Sequence, residues 1–213
     1  MSVILCIDTA TEYSGAGICD GKSCFFRRLQ KDHVSDQILE NIDTIINDNK
    51  KTLSDINGVI VIKGPGSFTG LRVGVSVANQ FAHQLNIPIS GITADDLYAD
   101  MTDDKDFLYL QSMNRDQAYV RGHGKYESLF PAGIINISEL GGRLGLESIK
   151  WTGQLNDSHK SMLGMLQSAQ NLTIENAWNK VILKNPLSRQ KKYDLIEPFY
   201  GKDPTITKSK KSE

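Results

Sequence analysis

Several absences limit the chemistry of this 213-residue chain. Its three cysteines form no CxxC pair, and none of its four histidines has another histidine three to five residues away, so no helical zinc site is predicted. No apolar run approaches the roughly 18 residues of a membrane-spanning helix. The formal net charge is only −1, which argues against a protein that binds nucleic acid through its overall charge alone.

The remaining composition is that of a soluble globular protein, with 39% hydrophobic and 23% charged residues. The N-terminus, MSVILCIDTATE, has no basic region and reaches Asp8 early, so we expect a first strand rather than a signal peptide. Cys6, Cys19 and Cys24 all fall on predicted strands, and we expect them to be reduced and buried in a cytoplasmic protein.

The stretch Lys63–Arg72, KGPGSFTGLR, follows an apolar strand pattern and precedes a helical one. Glycine and proline indicate a tight turn at four positions, Gly64, Pro65, Gly66 and Gly70. A glycine turn at a helix N-terminus is also a possible anion site. The stretch is not a nucleotide P-loop, because no Lys-Ser or Lys-Thr pair follows Gly70. We favour a structural turn, with phosphate contact as the alternative.

The first half of the chain predicts the order βββαβαβα. Strands are expected at Val3–Ile7, Gly15–Cys19, Ser23–Leu29, Val59–Ile62 and Ile87–Ile92, and helices at Val34–Asn49, Phe68–Leu85 and Thr93–Met101. This α/β order resembles the ribonuclease-H-like lobe of the actin, Hsp70 and sugar-kinase (ASKHA) superfamily. The resemblance implies a two-lobed fold in which Asp8, with Thr9, faces nucleotide phosphates and a metal. On the sequence alone, Asp8 is equally well a cap at a strand end.

The second half is harder to read. We predict a hairpin from Phe107–Met113 and Gln117–Gly122, a strand at Ser148–Gly153, and helices at Ser138–Leu144, His159–Ala169 and Glu175–Lys184. The expected division is a first lobe at 1–102, a smaller α/β lobe at 103–200 and a flexible basic tail at 201–213. The cationic stretch Arg189–Lys192 and the tail are expected to be solvated, with phosphate contact as the alternative.

The second predicted helix carries an apolar stripe beside a line of small residues spaced four apart, Gly74, Ala78 and Ala82. Glycine in a helix costs about 1 kcal/mol relative to alanine, so another backbone is expected to come close there. That neighbour is either the chain's own sheet and first helix or a partner helix.

Several strings together resemble the bacterial TsaB (YeaZ) family. They are ILCIDTATEYSGAGICDG, His33-Val34-Ser35, GPGSFTGLRVGVSVANQFAHQLNIPISGI and, more weakly, MNRDQAYV and EPFYGKDP. The match is close over about the first 100 residues, and GPGSFTGLR is its specific signature. The terminal segment departs, with Gly201-Lys202 replacing the usual leucine and arginine.

The resemblance implies a non-catalytic subunit of a tRNA threonylcarbamoyladenosine complex. Its partner is TsaD, which carries a metal-binding HxxxH pair and transfers the group, and the ATPase TsaE joins them on tRNA. Family members pair through the two helices of the first lobe, so we favour a partner interface at Ile38, Ile42, Leu71, Gly74, Val75, Ala78, Phe81 and Ala82. On that interpretation Ala78→Trp weakens the heterodimer and leaves the chain folded. A homodimer without TsaD is the alternative assembly.

Two other functions stay open. A sugar-kinase-like enzyme is supported by Asp8 and the glycine corner, but a second glycine-rich adenosine motif is not evident after Asp103. We expect the chain to bind no cofactor of its own. Magnesium-ATP binding without turnover is the weaker alternative. A peptidase has the least support, because the neighbours of Ser67 are Gly66 and Phe68 rather than those of a GxSxG motif.

Overall fold

The computed structural model describes residues 2–30, 34–143, 149–163, 167–168, 172–185, 187 and 194–201. The first half forms a five-stranded sheet in the order β3-β2-β1-β4-β5. Its strands are β1 (Val3–Asp8), β2 (Gly15–Cys19), β3 (Cys24–Arg28), β4 (Ile56–Gly64) and β5 (Ile89–Thr93). β1, β2 and β3 pair antiparallel, whereas β1, β4 and β5 pair parallel.

Helices cover both faces of this sheet. They are α1 (Val34–Asp48), α2 (Phe68–Leu85) and α3 (Ala94–Asp100), with α6 (Ile174–Lys184) arriving from the end of the chain. Alternate residues of β1 and β4 point to opposite faces, as the two-residue period of a strand requires. Leu5 and Val59 share an apolar cluster with α1 and α2, while Cys6 and Ile60 share another with α3 and α6.

The second sheet has the order β10-β9-β6-β7-β8. It contains β6 (Phe107–Ser112), β7 (Gln117–His123), β8 (Gly133–Asn136), β9 (Lys150–Gln154) and β10 (Gln167–Ser168), with α4 (Ile137–Arg143) and α5 (Asp157–Leu163) between them. The sequence missed β8, which is only four residues long. It also extended α5 too far, since residues 167–168 pair with β9 instead of continuing a helix.

The predicted α/β, two-sheet architecture of the ribonuclease-H-like type is confirmed. The antiparallel meander, α1, the glycine corner and α2 lie where the periodicities place them, because each has strong local signals. His33, Arg189–Lys192 and the tail beyond Gly201 lie outside the described residues. Among the described helices, none combines the length and the hydropathy needed to cross a membrane.

The expectation of three reduced cysteines is wrong for two of them. Cys19 and Cys24 stand directly opposite each other on β2 and β3, with their Cα atoms 4.1 Å apart, and form a disulfide. Cys6 is a free, fully buried thiol on β1, as expected. Strand assignments alone could not reveal the pair, because it depends on the register between the two strands.

The proposed interface residues also need correction. Seven of the eight are buried within the chain itself: Ile38, Ile42, Leu71, Gly74, Val75, Ala78 and Ala82. Most of these pack in the cluster between α1, α2 and the first sheet. Phe81 alone is partly exposed. The small-residue line therefore lets α2 approach the chain's own sheet and the loop after β1, and its members cannot contact a partner directly.

Candidate functional site

The glycine corner between β4 and α2 holds α2 against the loop that follows β1. A Cβ atom on Gly70 would lie 1.8 Å from the carbonyl oxygen of Thr9, and one on Gly66 would lie 2.5 Å from that of Ala10. The Thr9 hydroxyl donates to the Gly70 carbonyl at 2.7 Å, and the N–H of Ser67 donates to the Ala10 carbonyl at 3.0 Å. These glycines are required because two backbones meet there.

Gly64 makes a second close approach, to the C-terminal segment Asp194–Gly201. The Gly64–Pro65 peptide bond is cis, and Gly64 has a φ of 134°. A Cβ atom there would lie 1.8 Å from the carbonyl oxygen of Phe199. The segment is also held by Asn79 of α2, whose amide group exchanges two hydrogen bonds with the backbone of Ile196, at 2.9 and 3.0 Å. This places Tyr200 beside the start of α2, where its ring stacks on Phe68.

Asp8 ends β1, but its carboxylate is fully buried and serves the loop that follows. One oxygen accepts from the N–H groups of Ala10 and Thr11 at 2.9 and 3.0 Å, and the other accepts from the Thr11 hydroxyl. Burial raises the pKa of this carboxyl group, and the hydrogen bonds oppose that rise. The observed geometry is that of a loop cap. Thr9 lines the neighbouring cleft, whereas Asp8 does not.

We expect Asp8→Ala to lower the free energy of unfolding by about 3 kcal/mol, because two buried backbone N–H groups lose their acceptor. Asp8→Asn keeps an acceptor oxygen and should cost about 1 kcal/mol. Chemical denaturation at neutral pH measures both. Equal losses for the two variants would contradict the capping role.

The pH dependence of the wild type has a definite sign. Because the Asp8 pKa is higher in the folded chain, the folded state binds this proton more tightly than the unfolded state does. The contribution of Asp8 to stability is therefore largest below the ordinary pKa of 3.8 and falls as the pH rises through the folded value. When the free energy of unfolding is measured against pH, Asp8→Asn should lack this contribution at acidic pH.

A cleft of about 700 Å³ lies between the two sheets. The first half contributes Thr9, the glycine corner and the first turn of α2, and the second half contributes the ends of β6 and β9. Its polar lining consists of hydroxyl and amide side chains, including Thr9, Ser67, Thr69, Gln111, Ser112 and Gln154. Among the described residues that line it there is no aspartate, glutamate, lysine or arginine.

Gln111 on β6 is only 6% exposed and borders this cleft. Its side-chain oxygen accepts from the Tyr109 hydroxyl at 3.2 Å. No motif or spacing in the sequence points to this residue. Its position near the end of a buried strand was visible in the sequence, but its exposure to a cleft depends on how the two halves pack.

The next residue, Ser112, connects β6 to α5. The Nε2–H of His159 donates to the Arg115 carbonyl at 2.8 Å, which leaves Nδ1 to accept from the Ser112 hydroxyl at 2.9 Å. Ser112 also accepts from the N–H of Asn156 at 2.9 Å. Fully buried His159 is thus engaged through both ring nitrogens and fixes the start of α5 beside the cleft. In the described residues, no three His, Cys, Asp or Glu side chains form a group that could hold a metal ion.

Comparison with known proteins finds relatives for part of this chain. A family model described as TsaD, tRNA N6-adenosine threonylcarbamoyltransferase, matches residues 27–131. The chain is 34% identical over 93 residues to the tRNA threonylcarbamoyladenosine biosynthesis protein TsaB of Buchnera aphidicola, a stretch that covers 43% of this chain and 44% of that protein. It is 35% identical over 92 residues to the Escherichia coli protein of the same name, covering 42% and 39%. The chain thus spans less than half the length of either relative.

The fold agrees over a much longer stretch. YeaZ from Pseudomonas aeruginosa superposes with a TM-score of 0.68, covering 93% of this chain and 100% of that one, at 13% identity. At this identity the superposition is evidence for the fold alone. The family-model match, residues 27–131, includes the glycine corner and α2. The fold match covers nearly all of the chain, whereas the matches to the two named TsaB proteins cover less than half of it.

Proposed function

We propose that this chain is an accessory subunit in the biosynthesis of threonylcarbamoyladenosine in tRNA, with no catalytic residue of its own. The observation that carries the proposal is the match of more than 90 residues of the chain to two proteins named for that biosynthesis. The histidine spacing adds support, because the sequence contains no HxxxH pair of the kind that the resemblance assigns to TsaD. Such a subunit acts in the cytoplasm and uses no cofactor of its own, while magnesium-ATP is consumed elsewhere in the complex.

The partner in this proposal is TsaD, with TsaE and tRNA joining the pair. The TsaD family model matches residues 27–131 of this chain, so this chain and TsaD have related lobes. The proposal is that these two related lobes pair side by side. A partner subunit can activate an enzyme simply by binding its active conformation more tightly than its inactive one. In the absence of TsaD, the same surface is available for a homodimer.

The surface we propose for TsaD is the outer face of α1 and α2, in place of the buried stripe. Leu39 projects from α1 and is 58% exposed, and Phe81 of α2 is partly exposed. α1 also carries four acidic residues, Asp36, Glu40, Asp43 and Asp48, and no lysine or arginine. An exposed leucine surrounded by carboxylates fits a partner with an apolar pocket and a basic rim.

Leu39→Lys should weaken binding to TsaD at least about tenfold, because a buried apolar contact is replaced by a charge that meets a basic rim. The fold should be unaffected, since a lysine at this position can pair with Asp43 one turn along the helix. Leu183→Lys is the matched control. Leu183 is 70% exposed, on α6 at the opposite face of the sheet, and its substitution should leave the affinity unchanged. If Leu39→Lys and Leu183→Lys bound TsaD with equal affinity, the outer face of α1 and α2 would not be the interface.

The proposed function is tested by purifying the chain together with the TsaD homologue of the same genome and measuring the size of the complex. We expect a stable one-to-one complex that modifies tRNA when the remaining components are added. A chain that transfers threonylcarbamoyl to tRNA without TsaD would overturn the accessory role. A lone monomer that hydrolyses ATP would favour the kinase-like alternative.

A further inference from the structure

The three cysteines of the first half of the chain meet at one place in the fold. Cys19 and Cys24 form the disulfide that joins β2 to β3, and the Sγ atom of Cys6 on β1 lies 3.8 Å from that of Cys19. Cys6 is fully buried and Cys19 is 2% exposed, whereas Cys24 is only partly buried. Cys24 also begins β3, which is an edge strand of its sheet. A small molecule in solution therefore reaches the sulfur of Cys24 before the other two.

The hairpin that carries this disulfide is held by other contacts as well. The Asp20 carboxylate accepts from the N–H groups of Lys22 and Ser23, both at 2.9 Å, and the N–H of Asp20 donates to the Ser23 carbonyl at 3.1 Å. β2 and β3 also pair along the whole of both strands. A disulfide that closes a loop of a few residues stabilises a chain less than one that closes a long loop. The bond can therefore open while the hairpin stays in place.

The buried thiol of Cys6 is placed to assist that opening. Burial raises the pKa of Cys6, so it stays an S–H group and is not itself the attacking thiolate. Its two acceptors are the Cys19 sulfur at 3.8 Å and the Ile4 carbonyl at 3.9 Å. A donor beside Cys19 stabilises the negative charge that forms on this sulfur when the S–S bond breaks. A leaving thiol of lower pKa is displaced faster, so the arrangement favours attack on Cys24 with Cys19 leaving.

We propose that Cys24 is a thiol-exchange site, at which a low-molecular-weight thiol forms a mixed disulfide while the Cys6 S–H group stabilises the departing sulfur of Cys19. The thiolate of the small molecule bonds to the Cys24 sulfur, and the Cys19–Cys24 bond breaks. Its electron pair goes to Cys19, which takes a proton from water. A second thiolate that attacks the sulfur of the bound small molecule releases Cys24 as a thiolate. Two small thiols thus become one disulfide, and the protein disulfide is reduced.

The site is tested on the full chain in its disulfide form, incubated with excess reduced glutathione and sampled over time. Each sample is quenched with acid, its remaining thiols are alkylated with N-ethylmaleimide in denaturant, and peptide mass mapping locates both labels. We expect the first product to carry glutathione on Cys24 and N-ethylmaleimide on Cys19 and Cys6. Glutathione on Cys19 instead would overturn the proposal, and so would a disulfide that opens only in denaturant. The exchange is independent of the proposed role in tRNA modification.

Three variants test the contribution of Cys6 to the rate. Cys6→Ala removes the S–H donor and should slow the opening at least about tenfold, as expected for a lost hydrogen bond to a developing charge. Cys6→Ser keeps a donor at the same place and should retain most of the wild-type rate. Ile60→Val is the matched control, because Ile60 lies beside Cys6 on β4 in the same apolar cluster, and it should leave the rate unchanged.

A purely structural role of Cys6 is distinguished by the reverse step, in which Cys19 displaces glutathione from Cys24. The pH profile of its rate reports the pKa of the Cys19 thiol, because only the thiolate attacks. Without the S–H donor that pKa should be higher, so the profile of Cys6→Ala should shift to higher pH while that of Ile60→Val stays in place. Equal opening rates and equal pH profiles for Cys6→Ala and Ile60→Val would overturn the role of Cys6.

Discussion

Ala78→Trp should unfold the chain, or reduce its free energy of unfolding by more than about 4 kcal/mol, and not merely weaken an assembly. Ala78 is 0% exposed and lies in the cluster that joins α2 to Val59 and Val61 of β4. An indole there must push α2 away from the sheet, because close-packed interiors hold no space of that size. Small domains have only about 5–15 kcal/mol of stability to lose.

Ser76→Trp is the control for this substitution, since Ser76 is exposed on the same helix. Its free energy of unfolding, measured in urea, should lie within about 0.5 kcal/mol of the wild-type value, as is usual for surface substitutions. Circular dichroism and urea unfolding of the isolated chains measure both variants. A folded Ala78→Trp chain with wild-type stability would contradict the packing described for α2, and would restore the interface first predicted for this residue.

Gly70→Ala should cost more than about 3 kcal/mol, although alanine is the better helix former. The new methyl group would lie 1.8 Å from the carbonyl oxygen of Thr9, far inside van der Waals contact. Relief requires α2 to move away from the loop after β1. That movement would break the hydrogen bond from the Thr9 hydroxyl to the Gly70 carbonyl. Both the stability of the fold and the first turn of α2 would be affected.

Gly142→Ala provides the same substitution without the clash. Gly142 lies in α4, and a Cβ atom built on it meets nothing within 4 Å. It should be neutral or stabilise the chain by up to about 1 kcal/mol, through helix propensity alone. Thermal unfolding of the two variants side by side is the measurement. A Gly70→Ala chain as stable as Gly142→Ala would show that the corner can relax, and that its glycines are not required by packing.

The elements predicted best are those with strong local signals. The apolar period of α1 and the glycine corner before α2 are properties of short stretches, so their positions could be read directly. β8 and β10 were missed because strands of four and two residues carry almost no periodicity. The disulfide between Cys19 and Cys24 was missed because it depends on strand register.

The candidate site was predicted only in part. Thr9 and the glycine corner were selected from the sequence, and they do meet, at the N-terminus of α2. Of the two roles open for Asp8, the structure shows the loop cap, and in sequence an aspartate at a strand end looks the same whether it caps a loop or faces a ligand. Gln111 carried no signal, since a glutamine in a strand becomes notable only when tertiary packing places it beside a cleft.

The sequence by itself determined the class of fold, the position of α2 and the need for glycine where β4 turns into it. These follow from backbone geometry and from periodicity, which act over a few residues. Only the tertiary structure decided which side of α2 is buried and what lies across the cleft from its first turn. An apolar stripe fits a sheet or a partner equally well, and the choice rests on contacts between residues far apart in the chain. In this chain the stripe packs against the sheet, and the opposite face of α2 is left to solvent.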